Sequence, residues 1–304
     1  MKVVETMGNK YRSGFAAIIG RPNVGKSTLM NKMIGEKIAI ISDKPQTTRS
    51  RIQCVLTKEE YQIIFVDTPG LHKPKNRLGE YMVNAAMSTL SEVDVIIFVV
   101  DIAAGVGTGD QKIAEMLTDI NTPVIVVFNK ADKLSDEEIE AEINKFKEFY
   151  KFSHGLVISA LTGKNLDKLE KEIVTFLPEG PQYYPETMIT DQPERLIIAE
   201  MIREKALQLL KEEVPHGIGV EILGMKERED KPLMDIHAVI HCEKKSHKAI
   251  IIGKGGKMLR EIGQSARKDI ENLLGIKVYL DIWVKISEDW RNNQRALREL
   301  GYDQ

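Results

Sequence analysis

Three apolar runs in the first half of the chain each stop at a short polar patch, and this punctuation restricts the fold more than any other feature. Residues 15–19 (FAAII) stop at Gly20-Arg21-Pro22-Asn23-Val24-Gly25-Lys26-Ser27. Residues 61–66 stop at Asp67-Thr68-Pro69-Gly70, and residues 123–128 at Asn129-Lys130-Ala131-Asp132. A short run that is apolar throughout reads as a strand buried on both faces. Through about residue 178 such runs alternate with amphipathic helices, which predicts a mostly parallel α/β sheet covered on both sides. An antiparallel edge hairpin around 52–67 is the exception. Ligands bind such sheets in the crevice outside the carboxyl ends of the strands, and the patches stand there.

The first patch fits G-x-x-x-x-G-K-[ST], and residues 28–34 behind it read as a helix ending at Gly35. The amide groups of Gly20, Asn23, Val24, Gly25, Lys26, Ser27 and Thr28, with the helix N-terminus, form a positive concavity for phosphate oxygens. Lys26 is expected across the β- and γ-phosphates, and the Ser27 hydroxyl on Mg²⁺. Asp67 is expected to hold the Mg²⁺ shell through water. The Gly70 amide reaches a γ-phosphate and lets go after hydrolysis. In Pro45-Gln46-Thr47-Thr48-Arg49 a threonine completes the Mg²⁺ shell, with Thr48 favoured over Thr47. Lys26, Thr48 and Gly70 form the expected catalytic set.

The third patch names the base. In Asn129-Lys130-Ala131-Asp132 the Asp132 carboxylate suits the adjacent N1–H and N2–H₂ donors of guanine, whereas adenine would turn a lone pair towards it. A buried site built for one hydrogen-bonding partner rejects the mismatch by about 10⁴-fold. Ser159-Ala160-Leu161, after the apolar residues 156–158, is expected to add backbone N–H contacts to guanine O6.

A chain of 304 residues suggests two domains, and 42% hydrophobic with 29% charged residues suits a soluble one. No apolar run approaches a membrane span, and the first ten residues lack the apolar core of a secretion signal. Cys54 and Cys242 are the only cysteines, too few and too far apart for a disulfide framework or metal site. A cytoplasmic location is expected. Net charge −2 hides a local excess: residues 244–268 carry eight lysines and arginines against Glu261, a balance of +7.

Residues 1–178 therefore read as a nucleotide domain and 179–192 as a short, stiff linker rich in proline, whose Tyr183 and Tyr184 pack on either side. Residues 193–304 read as a second domain. Its expected order is a helix (193–213), two strands (217–225, 233–242), a short helix (246–252) and the turn Gly253-Lys254-Gly255-Gly256. A longer helix (257–274), a strand (275–286) and a final helix (288–300) follow. A lysine-flanked GXXG turn between two helices clamps the backbone of about four single-stranded nucleotides in KH domains. Ile252, Gly253, Lys254, Gly255, Gly256, Lys257 and Arg260 are the candidate RNA contacts, with residues 250–252, Met258 and Leu259 as the apolar floor.

With these pieces in order, the chain resembles the Era family of bacterial GTPases over nearly its whole length. The resemblance rests on GRPNVGKST, PQTTR, DTPGLH and NKAD, followed by IIGKGG. It implies a Ras-like P-loop GTPase domain followed by a smaller α+β type II KH domain. The implied function is a GTP-hydrolysing switch in assembly of the small ribosomal subunit. Its KH domain would bind the 3′ end of 16S rRNA when GTP is present and release it after hydrolysis. A weak peripheral contact with the inner face of the cell membrane is also implied, although no amphipathic anchor or lipidation signal is evident; a monomer is the default.

Leu71 stands where many small GTPases place a water-orienting glutamine. The resemblance is to GTPases with a hydrophobic residue there, some of which use K⁺ held partly by a phosphate-loop asparagine. Asn23 occupies that place; the alternative is a hydrogen bond within the loop. His72 reads as a bystander. Without a glutamine or an internal arginine finger, turnover of about 10⁻⁴ to 10⁻² s⁻¹ is expected; the reach of Arg49 is open. Two other readings stand beside the switch: an RNA-binding protein with nucleotide as a structural ligand, and a GTPase whose last domain docks on protein or membrane.

Overall fold

The structure, a computed structural model, describes residues 11–42, 48–49, 51–69 and 76–302. Its first sheet comprises β1 (Arg12–Ile19), β2 (Ile52–Thr57), β3 (Tyr61–Asp67), β4 (Val95–Asp101), β5 (Val124–Asn129) and β6 (His154–Val157). The order is β2-β3-β1-β4-β5-β6, antiparallel only at β2–β3. Helices α1 (Lys26–Ile34) and α5 (Leu166–Phe176) cover one face, α3 (Thr108–Thr118) and α4 (Asp136–Lys147) the other. Ala16, Ile18, Ile97 and Val99 point into the first core, and Ala17, Ile19, Ile96 and Phe98 into the second. Alternate residues of one strand thus feed opposite cores, so no polar position interrupts the run. The remaining helix, α2 (Arg77–Leu90), links β3 to β4.

The second unit runs α6 (Glu194–Leu209), β7 (Gly219–Glu227), β8 (Leu233–Cys242), α7 (Lys245–Ile252), α8 (Lys257–Leu274), β9 (Lys277–Ile286) and α9 (Gln294–Glu299). Its sheet is β7-β8-β9, antiparallel then parallel. The expected final helix is broken. A 3₁₀ turn at Trp290–Asn292 precedes α9, and the Asn293 side chain accepts the Arg295 and Ala296 N–H groups. This N-cap starts a new helix in place of a continuous one. Gly275, left-handed at φ = +69°, closes α8 and delays β9 to residue 277.

Residues 179–192 are laid along the edge strand, not held off as a spacer. Val55 N–H donates to the Ile189 carbonyl at 2.9 Å, and Thr190 pairs with Cys54 in a β-bridge. The buried Gln62 side chain accepts from Tyr183 and Tyr184 N–H and donates to the Tyr184 carbonyl. Both tyrosines pack on the first unit: Tyr183 against Phe15, Tyr184 through its hydroxyl to Gln53. The segment thereby covers β2, an edge that would otherwise offer unpaired backbone groups. Among the described residues no helix is long and apolar enough to cross a membrane.

Candidate functional site

The patches converge because their strands are neighbours. Asp67 pairs in register with Ile18, two residues before Gly20, and Asn129 pairs with Asp101. Ser27 Oγ donates to Asp67 Oδ2 at 2.9 Å and lies 3.1 Å from Thr48 Oγ1, which is 3.3 Å from the same carboxylate oxygen. Asp67 is fully buried, and its Oδ1 has no hydrogen-bond partner among the described residues. A buried carboxylate oxygen without a donor, beside two hydroxyls, is the donor set a hard cation prefers. Lys26 Nζ donates to the Gly20 and Arg21 carbonyls at 3.1 and 3.0 Å. Burial pushes the Lys26 ammonium down and the Asp67 carboxyl up, each resisted by the other's charge.

The base-side residues are tied to the phosphate loop. Asn129 Nδ2 donates to the Val24 carbonyl at 2.8 Å, while its Oδ1 accepts from Ala160 N–H at 2.9 Å. Gly25 stands at φ = +102°, and a Cβ there would lie 2.3 Å from Asn129 Nδ2, so only glycine lets the loop lie against that side chain. Lys130 Nζ reaches the Asn23 carbonyl and Asp101 Oδ2. The buried Ser159 hydroxyl donates to Asp132 Oδ1 and fixes the plane of that exposed carboxylate. Within the same tripeptide the Ala160 N–H donates to Asn129 Oδ1, so it and the Ser159 hydroxyl both tie residues 159–161 to the base-side patch. Leu161 is 71% exposed at the rim. Thr28 lies in the first turn of α1. Pro45, Gln46, Thr47, Gly70, Leu71 and His72 lie outside the described residues.

Neither described arginine near the loop faces a phosphate position. Arg21 donates to Asp110 Oδ1 and to the Gly105 carbonyl. Arg49 is buried against the second unit, with its NH1 on the Ile218 carbonyl at 2.7 Å.

In the second unit Gly253, Gly255 and Gly256 are all left-handed, at φ = +71°, +62° and +76°. A Cβ on Gly253 would come within 2.8 Å of the Met258 Cβ. Lys254, Lys257 and Arg260 are exposed around the turn. The groove beside it is lined by Gly256, Leu259, Arg260, Gly263, Gln264, Arg267, Leu280 and Ile282. Of the expected floor Leu259 lines this groove, and other residues join it. Ile251 is fully buried in the core and Ile250 is half-exposed, because a helix cannot turn three successive residues to one side. Met258 packs on the core, and β9 supplies the floor in its stead through Leu280 and Ile282. The spacing 256, 259/260, 263, 267 marks one helix face, a signal available in the sequence.

Comparison with known proteins fits both halves. A family model described as "50S ribosome-binding GTPase" matches residues 15–130, and a KH domain model matches residues 213–291. The GTPase Era of Alkaliphilus oremlandii is 60% identical over 293 residues, covering 96% of this chain and 99% of that protein. The chain belongs to the Era family of GTPases.

Another Era relative, from Clostridioides difficile, is 56% identical over 294 residues, 96% of this chain and 99% of its own. Two solved Era structures share the architecture at 43% identity. One, in complex with MgGDPNP and nucleotides 1506–1542 of 16S ribosomal RNA, superposes with a TM-score of 0.93 over 97% of this chain and 100% of that one. The other, an Aquifex aeolicus Era variant bound to GDP and AlF₄⁻, gives 0.91 over 96% and 100%. For this Era-family groove, Arg267→Ala is expected to weaken single-stranded RNA binding and lower the salt dependence by about one counterion. Filter binding over a salt series measures it; an unchanged slope removes Arg267 from the phosphate path.

Proposed function

We propose that this chain is a GTP-hydrolysing switch that binds small-subunit ribosomal RNA through its KH groove and acts on the small ribosomal subunit. Nucleotide chemistry is assigned to residues 1–178 and RNA to 193–304, with 179–192 between them. The cluster of Ser27, Thr48 and Asp67 carries this reading. It draws the loop behind β1, the end of β3 and the segment between α1 and β2 to one point. Those residues would hold Mg²⁺, which neutralises charge on the β- and γ-phosphates when bound. Lys26, resting on loop carbonyls, would turn to the phosphates, and the loop amides would receive their oxygens. The RNA assignment follows the related structure, which holds a 16S fragment, a small-subunit RNA.

Arg21 and Arg49 are engaged by Asp110 and by the Ile218 carbonyl, and a slow intrinsic rate of about 10⁻⁴ to 10⁻² s⁻¹ is expected. We also place K⁺ near Asn23, an exposed residue at φ = +65° whose carbonyl Lys130 holds. Exchange of K⁺ for Na⁺ is expected to slow hydrolysis, and Asn23→Ala to erase the difference. Equal rates in the two salts for the unaltered chain would end that assignment.

The central test compares RNA affinity with GDP and with a non-hydrolysable GTP analogue. Binding is expected to be about 5- to 150-fold tighter with the analogue, the usual span of a coupling between two sites. Equal affinities leave an RNA-binding protein without a switch. Binding partners that survive Gly253→Asp with Gly256→Asp would instead point to docking on protein or membrane.

A further inference from the structure

Thr48 stands beside Ser27 and Asp67, and its neighbour is anchored in the other half of the molecule. Arg49 is 1% exposed. Its NH1 donates to the Ile218 carbonyl at 2.7 Å and its NH2 to the His216 carbonyl at 3.3 Å. The guanidinium lies 5.6 Å from the Trp290 ring centroid and 6.0 Å from that of Tyr302. Those rings stack with centroids 6.2 Å apart, and Trp290 Nε1 is held by the Gly217 carbonyl. A desolvated guanidinium is tolerated only where such partners are in place. Residues 48 and 49 are consecutive, so a single peptide unit joins the Asp67 cluster to this socket.

The other nucleotide-side segment arrives at the same place. Leu78 and Met82 of α2, the helix that follows the Asp67–Gly70 patch, pack with Trp290, Leu297, Leu300 and Tyr302. The Arg77 N–H donates to Asn292 Oδ1. His216, Ile218 and Trp290 lie within the match to the KH family model, and Leu297, Leu300 and Tyr302 lie beyond its end at residue 291. The socket is thus built jointly from the KH-matched region and the segment after it, and it faces the nucleotide domain.

We propose that Arg49 is a positioning residue: seated in the Trp290–Tyr302 socket, it holds Thr48 at the Mg²⁺ site, so that the C-terminal segment completes the γ-phosphate sensor. This rests on the reading that GTP and Mg²⁺ bind at Ser27 and Asp67, and on nothing about RNA. Displacing Thr48 by an ångström is enough for a large effect, since positioning losses of that size reach about 10²-fold. GDP binding, which does not need Thr48, is expected to be unaffected.

The chain has two tryptophans, Trp283 and Trp290. Trp283 is 64% exposed and outside the socket, so a Trp283→Phe chain makes Trp290 a specific reporter. In that background, Trp290 emission is expected to change on adding a GTP analogue with Mg²⁺ and to stay constant with GDP. Arg49→Ala should abolish the response and raise the Mg²⁺ concentration for half-maximal analogue binding about 10-fold or more, with GDP affinity within about twofold. Tyr302→Ala should show part of the same shift, and the double variant no more than Arg49→Ala alone. An unchanged Mg²⁺ requirement, or additive effects of the two changes, overturns the assignment. If Arg49→Ala does not fold, Arg49→Lys, which keeps charge but loses the fork, decides it by the same two readouts. Equal RNA affinities in the GDP and GTP states would sink the switch while leaving these readouts intact.

Discussion

Asp132→Asn is expected to lower GTP affinity by about 10⁴-fold and to turn the preference towards xanthine nucleotides. The reason lies in how the carboxylate is held. Ser159 is fully buried and gives its hydroxyl proton to Asp132 Oδ1, so the carboxylate plane is set before any base arrives. An amide in that place keeps the Ser159 contact through its oxygen and directs its NH₂ outward. Guanine would then meet donor with donor at its N1–H and N2–H₂ edge, whereas xanthine offers an oxygen at the second position. Donors left facing one another once the base covers this edge are what make such a mismatch costly. Competition of unlabelled GDP and XDP against a fluorescent guanine nucleotide measures the exchange. A variant that still prefers GDP would place the base elsewhere. Ser159→Ala should have a smaller effect in the same direction on GDP, because it loosens the carboxylate without changing its pattern of acceptors.

The nucleotide side of this molecule was legible because its signals are local. A strand buried on both faces is apolar along most of its length, and each polar patch begins where its strand leaves the sheet, so periodicity and position agreed at β1, β3 and β5. The KH turn was legible for the same reason: Gly253 and Gly256 need left-handed angles within four residues. What escaped depends on residues far apart in the chain. Nothing near Arg49 announces that its guanidinium will end on carbonyls 167 and 169 residues away. Residues 179–192 read as a spacer from their prolines, yet Gln62, more than a hundred residues earlier, receives them. Leu259 was legible as part of the groove, whereas the share of β9 depends on its alternation, which turns Leu280 and Ile282 to the helix side. Lys130 stands in the base-side patch, and Asp101, at the end of the neighbouring strand, holds its ammonium. A strand ending in aspartate beside another patch was the available sign.

Asn129→Ala separates the two roles that a motif view merges, and is expected to weaken GDP and GTP equally while destabilising the fold. Unlike Asp132, Asn129 is spent inside the protein: it donates to the Val24 carbonyl and accepts from the Ala160 N–H. Both partners are at most 1% exposed, so truncation leaves one buried acceptor and one buried donor without a partner. Each such loss costs about 1–3 kcal/mol, or roughly 2–6 kcal/mol for the pair. For a unit of this size a loss of about 3 kcal/mol lowers Tm by roughly 6–12 °C. The loop between Gly20 and Ser27 would lose its link to β5, and Ala160 its link to the base-side strand, so both nucleotides should suffer without any change in the choice of base. Thermal unfolding with and without GDP, alongside competition by XDP, tests the distinction. A variant with unchanged Tm and a selective loss of guanine would show that Asn129 meets the base directly, and that its bonds to Val24 and Ala160 contribute little to holding the three patches together.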